Sequence, residues 1–85
     1  MRYKVILNRQ AQKDLALLKR VGLAEKAVSL AKSMQDNPYA PPCEKLGGTL
    51  SGAYSRRLNI KHRMVYWVDE EKREVRIVRM WTHYE

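Results

Sequence analysis

The sequence predicts a single α+β domain, residues 1–85, in which one strand and two helices precede an antiparallel meander. Three observations predict this class. The run YKVIL, residues 3–7, is compact and rich in β-branched residues, as is typical of a strand. Apolar residues then recur at helical spacing, and from residue 54 onward β-forming runs alternate with short turns. Strands joined by short turns pair antiparallel, so we expect the helices to cover one face of the sheet.

Two amphipathic helices are predicted after the first strand. Asn8 can cap the first helix, because its side chain can accept a hydrogen bond from an amide of the first turn, and Gly22 ends that helix. Charged residues, Asp14 among them, separate its apolar positions. Those positions are Ala11, Leu15, Leu18 and Val21. The second helix is expected over about residues 24–35, and Pro38 prevents its continuation.

Residues 38–53 lack a strong period and contain prolines followed by glycines, which predicts a loop. Loops held by a rigid scaffold often carry functional residues. Glu44 lies in this loop and could act as a base, although a lone loop glutamate is usually just solvated. Its neighbour Cys43 could act as a nucleophile, but no local signature supports that, and a partly buried small residue is the favoured interpretation.

The strands of the meander are predicted at residues 54–60, 62–68 and 74–83, with a charged turn at 69–73. Side chains alternate along a strand, so Arg56 and Arg57 should lie on opposite faces. The face away from the helices is expected to be basic. Its expected members are Arg57, Arg63, Arg76 or Arg79, and His83. Buried arginine is costly, so this face either binds an anion or is a solvated face that discourages edge pairing.

The charge of the chain indicates the class of partner. Seventeen Lys and Arg against nine Asp and Glu leave a formal charge of +8, which favours a polyanion or an acidic protein, or else an ordinary basic surface. One cysteine and two histidines supply neither a disulfide nor a zinc ligand set, so we expect no metal and no cofactor. No apolar run approaches the roughly 20 residues of a membrane span, and no signal peptide is evident. We therefore expect no membrane association and a cytoplasmic location.

The inventory of one carboxylate, one histidine and several arginines fits RNA cleavage by the 2′-hydroxyl group. That reaction needs a base for the 2′-OH, an acid for the leaving 5′-oxygen, and fixed cations for the charged transition state. Arginine suits the last task because its planar fork meets two phosphate oxygens. His83 could supply the acid, although a polar tail residue is the alternative near a chain end.

Three further residues have two interpretations each. His62 lies between Lys61 and Arg63 and is expected to be an exposed strand residue or a phosphate contact. Trp67 and Trp81 could stack on bases, but packing or a dimer contact is the favoured interpretation, since large aromatic residues dominate cores and interfaces.

The second half of the chain carries a set of short motifs. They are E-x-L-x-x-x-LSG at 44–52, SRR at 55–57, HR followed by MVY at 62–66, and a terminal HY at 83–84. With these motifs the chain resembles the YoeB/Txe family of bacterial toxins, within the RelE/ParE superfamily of toxin–antitoxin systems. The resemblance covers the whole chain in length and order of elements. It implies a RelE-like, microbial-RNase-like fold and an endoribonuclease that cleaves mRNA in the ribosomal A site and halts translation.

The resemblance also implies roles for individual residues. Glu44 would be the general base, Arg63 would stabilise the transition state, and His83 would be the general acid. Tyr84 would help to orient the substrate. The expected RNA contacts are Arg56, Arg57, Lys61 and His62, of which Arg57 matches a phosphate-contacting arginine of the family. The chain departs from some relatives by carrying Glu85 after the tyrosine, which places another carboxylate beside the expected acid.

The resemblance further implies partners: the ribosome and mRNA, and an acidic-tailed antitoxin of the Phd/YefM type. Operator DNA would be bound only through the antitoxin complex, and a homodimer is common in the family. Two other functions stay open at this point. One is a non-catalytic, ParE-like inhibitor of gyrase, and the other is a basic nucleic-acid-binding module.

Overall fold

The computed structural model describes residues 2–48 and 51–81. In chain order, the elements of these residues are β1 (Lys4–Leu7), α1 (Arg9–Arg20), α2 (Ala24–Ser33), β2 (Glu44–Lys45), β3 (Ala53–Arg57), β4 (Arg63–Asp69) and β5 (Glu74–Arg79). The predicted α+β class is therefore confirmed, with the strand and both helices ahead of the meander.

The strands of the described residues form one sheet in the order β1-β5-β4-β3-β2. The run from β2 to β5 is antiparallel throughout, which confirms the meander. β1 pairs in parallel with β5, Val5 opposite Val75, and the chain between them runs through both helices and then through β2, β3 and β4. The late strands of the chain thus occupy the centre of the sheet.

The ends of both helices follow from local chemistry. The Asn8 side chain accepts a hydrogen bond from the Ala11 amide at 2.8 Å, which confirms the predicted cap of α1. Gly22 follows the helix with a φ of 77°, a left-handed conformation that suits glycine. α2 ends at Ser33, two residues earlier than predicted, because tighter turns follow it and the Gln35 amide donates to the Lys32 carbonyl.

The hydrophobic core lies between the helices and one face of the sheet. Met64 and Tyr66 of β4 and Val75 and Ile77 of β5 face it at alternate positions. The helical side contributes Ala11, Leu18, Ala27 and Met34. Burial of these side chains is the main favourable contribution to folding. The helices cover this face, and the other face of β3 and β4 carries the polar side chains described below.

Two predictions about the chain from residue 38 to 62 were wrong. The predicted loop contains β2, where Glu44 and Lys45 pair with β3 in a ladder too short to leave a periodic signal. The next strand ends at Arg57 and not at residue 60, because residues 58–62 form a turn. In this turn the Asn59 side chain accepts hydrogen bonds from the Lys61 and His62 amides, at 2.8 and 2.7 Å.

The region around the end of β5 contains one buried charge and one wrong boundary. Asp14, one of the charged residues that separate the apolar positions of α1, is fully buried. It lies beside the end of β5, which stops at Arg79 and not at residue 83. Residues 82–85 lie outside the described part of the chain.

Candidate active site on the open sheet face

The short strand β2 brings Glu44 next to Arg63. Glu44 lies opposite Ser55 in the β2–β3 ladder, and Arg63 lies opposite Arg57 in the β3–β4 ladder. Arg63 Nη1 donates to Glu44 Oε1 at 2.8 Å and to Ser55 Oγ at 3.3 Å. Two residues 19 positions apart, both predicted to act in catalysis, therefore share one ion pair on the sheet face away from the helices.

The two members of this pair differ in exposure. The Glu44 side chain is 62% exposed, whereas the Arg63 side chain is 25% exposed and rests on Ser55. Both contacts of Arg63 use Nη1, so the rest of its guanidinium fork makes no hydrogen bond to the described residues. The arrangement provides an accessible carboxylate beside an oriented guanidinium group.

Ser55 is a residue of the candidate site that the sequence did not single out. It is fully buried between β2 and β4, and its hydroxyl oxygen accepts a hydrogen bond from Arg63 Nη1. The sequence did contain a signal for this role: Ser55 lies in the SRR run, two residues before Arg57 and therefore on the same strand face. We assign Ser55 a role in positioning Arg63.

The predicted RNA-contacting residues lie in three different places. Arg57 is exposed at the end of β3, directly opposite Arg63, and Lys61 is exposed in the following turn. Arg56 is on the opposite face, where its partner across the ladder is the core residue Met64. The structure therefore places Arg57 on the same sheet face as Glu44 and Arg63, and Arg56 on the other face.

The expectation that His62 is an exposed residue was wrong. Its exposed fraction is 6%, and its ring stacks on Trp81 with 4.3 Å between ring centroids and 24° between ring planes. The stacking follows from the turn, which returns the chain towards the end of β5. Trp81 is a packing residue here, in agreement with the favoured interpretation of that side chain.

Two other arginines of the sheet contact carboxylates. Arg76 contacts Glu74 at 3.5 Å, whereas Arg79 Nε donates to the buried Asp14 at 2.9 Å. Burial alone would raise the pKa of Asp14. Hydrogen bonds from the Met80 amide, Gln10 and Arg79, with the charge of Arg79, outweigh burial and hold that pKa below its usual range. Arg79 therefore fixes α1 to the sheet.

The segment before β2 is anchored by aromatic residues. Tyr66 donates a hydrogen bond to the Pro38 carbonyl at 2.6 Å, and the Cys43 sulfur lies 3.2 Å from the same phenol oxygen. Cys43 is partly buried, which confirms the favoured interpretation of that side chain. Burial and the contact with Cys43 raise the pKa of Tyr66, so it stays a neutral donor at this position.

Two of the predicted catalytic residues, His83 and Tyr84, lie outside the described residues. In residues 2–48 and 51–81, no group of three His, Cys, Asp or Glu residues is placed to hold a metal ion. Neither α1 nor α2, the helices of this part of the chain, is long and apolar enough to cross a membrane.

Comparison with known proteins decides the family. The model of the YoeB-like toxin of bacterial type II toxin–antitoxin systems matches residues 9–84. The chain belongs to the YoeB family of toxins. A YoeB toxin from Synechocystis is 39% identical over 74 residues, which cover 87% of this chain and 79% of that protein.

Solved structures of the family share the fold. A YoeB/ParE toxin from Agrobacterium tumefaciens superposes with a TM-score of 0.86 at 26% identity, over 95% of this chain and 99% of that one. YoeB from Staphylococcus aureus is 31% identical over 99% of this chain and all of its own. It superposes with TM-scores of 0.79 in a YoeB–YefM complex and 0.80 in a YoeB dimer. The resemblance inferred from the sequence motifs is thus confirmed.

Proposed function

We propose that this YoeB-family toxin is an endoribonuclease that cleaves mRNA at the ribosome and so inhibits translation. The observation that carries the proposal is the Arg63–Glu44 pair, 2.8 Å apart on the open face of the sheet. A purely structural ion pair would gain little from a carboxylate that is 62% exposed, because exposed pairs contribute at most about 1 kcal/mol. An accessible carboxylate beside an oriented guanidinium group instead suits acid–base chemistry on a phosphodiester.

In the proposed reaction, Glu44 accepts the proton of the 2′-OH while O2′ attacks the adjacent phosphorus. The P–O5′ bond breaks, and His83 gives a proton to the leaving O5′. The products are a 2′,3′-cyclic phosphate and a 5′-hydroxyl end. Glu44 finishes the step protonated and His83 finishes it deprotonated, and proton exchange with solvent then restores both residues. Tyr84 is proposed to orient the RNA beside His83.

Arg63 is proposed to stabilise the negative charge that grows on the phosphate. Its Nη1 is held by Glu44 and Ser55, so the free edge of the fork remains for phosphate oxygens. Arg57 lies across the ladder and would contact a neighbouring phosphate, with Lys61 beyond it. We propose that His62 supports this turn through its stacking on Trp81.

The proposed partners follow from charge and from the relatives. The net charge of +8 suits the phosphates of ribosomal RNA and also an acidic protein segment. Since a relative is known in a YoeB–YefM complex, we propose an acidic antitoxin of the Phd/YefM type for this chain, with operator DNA bound only through that complex. We further propose action in the cytoplasm and a homodimer, as the S. aureus relative forms one.

The proposal is tested by replacing each proposed acid–base or charge-stabilising group. Glu44→Gln, Arg63→Ala and His83→Gln should each lower mRNA cleavage in a translation extract by roughly 100- to 10,000-fold, because each removes a positioned catalytic group. The measurement is the mapping of new 5′-hydroxyl ends on mRNA. Glu71→Gln, an exposed glutamate of the β4–β5 turn, is the matched control and should cleave normally.

The three variants should fold and bind the antitoxin as the unchanged protein does. If Arg63→Ala and His83→Gln both arrest growth as the unchanged toxin does, the catalytic proposal is wrong. Stabilised gyrase–DNA breaks with intact mRNA would show instead that the chain acts in the ParE manner.

A further inference from the structure

A basic pocket lies on the helix side of the sheet, away from the proposed catalytic pair. It has a volume of about 300 Å³ and is lined by Lys26, Ser29, Leu30, Ser33, Arg56 and Arg57. Three of these lining residues are cationic, and among the described residues no carboxylate lines the pocket. We call it the α2–β3 pocket.

Arg56 is the residue that indicates a ligand in this pocket. It is half-buried, and its Nε atom is buried without a hydrogen bond to the described residues. Other arginines of the sheet and its β4–β5 turn, Arg63, Arg73, Arg76 and Arg79, each contact a carboxylate. Within residues 2–48 and 51–81, no carboxylate pairs with Lys26, Arg56 or Arg57. A half-buried guanidinium group without a hydrogen-bonded partner is costly, which indicates that an anion completes this pocket.

The pocket is continuous with the open sheet face. β2 pairs with β3 only at Tyr54 and Ser55, so no strand of the described chain covers that edge of β3 at Arg56 and Arg57. These two neighbours point to opposite faces, and Arg57 lies directly across from Arg63. Basic side chains therefore extend from Arg63 around the open edge of β3 to Arg56 and Lys26.

We propose that the α2–β3 pocket is a second phosphate-binding site, which holds the backbone of an RNA strand a short distance from the scissile bond. The planar fork of Arg56, the ammonium group of Lys26 and the Ser29 hydroxyl are donors suited to phosphate oxygens. The Ser33 hydroxyl already donates to the Leu30 carbonyl at 2.6 Å and is not needed as a donor. An extended polyanion fits the continuous basic edge better than a compact acidic segment does. The inference rests on the proposed function only in naming RNA as the ligand.

The experiment measures binding in the absence of cleavage. The probe is a short single-stranded RNA with 2′-O-methyl groups throughout, which blocks attack by O2′, and its Kd is measured across a range of NaCl concentrations. Arg56→Met and Lys26→Met remove a charge and keep an apolar stem. Arg9→Met makes the same change of charge on α1, outside the pocket, and is the matched control.

Arg56→Met and Lys26→Met should each raise the Kd roughly tenfold, as expected for the loss of a charged hydrogen bond. The logarithm of the association constant falls linearly with the logarithm of the NaCl concentration. For each variant this slope should become less steep by roughly 0.7 for each phosphate that the variant no longer neutralises. Arg9→Met should change the slope less.

Two results would overturn the inference. One is the same slope and Kd for Arg56→Met, Lys26→Met and Arg9→Met. The other is unchanged RNA binding together with weaker binding of a synthetic glutamate-rich peptide, which would assign the pocket to an acidic protein segment. Failure of the proposed function gives a different pattern, namely normal mRNA cleavage by Glu44→Gln, Arg63→Ala and His83→Gln.

Discussion

At the scale of single residues, both the backbone conformation and a neighbouring side chain restrict position 52 to glycine. It has a φ of 100°, which an L-amino acid rarely adopts, and a Cβ atom at this position would lie 3.1 Å from Trp67 Cζ3. Gly52 directly precedes β3, and Trp67 lies opposite Ala53 in the β3–β4 ladder. A side chain here would therefore disturb the start of the strand that carries Ser55 and Arg57.

We expect Gly52→Ala to lower the free energy of unfolding by roughly 1–2 kcal/mol, because it adds backbone strain and a close contact with Trp67. Chemical denaturation measures the change. Gly47→Ala is the control, since a Cβ atom there meets nothing within 4 Å, and its stability should match that of the unchanged protein. Equal stability of both variants would show that the Gly52 conformation is not required.

At the scale of elements, Asp14 joins α1 to the end of β5. Its carboxylate accepts hydrogen bonds from Arg79 Nε and from the Met80 amide, both at 2.9 Å, and from Gln10 of its own helix. Asp14 is fully buried, so these donors replace the water that the carboxylate loses on folding. The contact therefore joins α1 to Arg79 and Met80, where β5 ends.

The lowered pKa of Asp14 predicts how stability changes with pH. A carboxyl group whose pKa is lower in the folded state stabilises the protein above the unfolded pKa, near 3.9 for aspartate, and this contribution disappears as the pH falls through the folded pKa. The Tm of the unchanged protein should therefore decrease as the pH falls from about 5 towards 2.

Asp14→Asn should lower the free energy of unfolding by about 2 kcal/mol at neutral pH, because it weakens charged hydrogen bonds. The difference between the variant and the unchanged protein should become smaller towards pH 3. Thermal melts across this pH range measure both effects, with Asp36→Asn as an exposed control that should have little effect at any pH. A pH-independent difference would contradict the proposed origin of the stabilisation.

At the scale of the whole molecule, Glu70 connects three distant segments of the chain. Its carboxylate accepts hydrogen bonds from Tyr39 before β2, from Tyr3 at the N-terminal end and from Arg73 in its own turn. The hydrogen bonds from Tyr39 and Tyr3 lower the pKa of Glu70, and burial with the Glu70 contact raises the pKa of each phenol. This cluster holds the segment that leads to Glu44 against the rest of the fold.

Tyr39→Phe should lower the Tm by roughly 2–5 °C, because it removes one hydrogen bond to Glu70 and keeps the ring. Tyr54→Phe is the matched control, as Tyr54 packs edge-to-face on Tyr39 and its hydroxyl makes no hydrogen bond to the described residues. Calorimetry compares the two. The same Tm for both variants would show that the Glu70 cluster does not stabilise the fold.

The sequence predicted several features because their causes are local. The cap at Asn8, the end of the first helix before Gly22 and the alternation of Arg56 and Arg57 depend on near neighbours, and each is confirmed. The short motifs between Glu44 and Tyr84 likewise indicated the family to which the chain belongs. The predicted boundaries failed at β2, where two residues of pairing leave no periodic signal, and at the end of β3, where residues 58–62 form a turn.

By itself, the sequence determined the types and order of the main elements, the family and the strongly positive charge, since periodicity, capping and composition can be read locally. Only the tertiary structure decided that Glu44 contacts Arg63, that Arg56 faces away from them, and that Asp14 and His62 are buried. Those facts depend on strand register and on packing between residues far apart in the chain, and a shift of one residue in register would reverse every face.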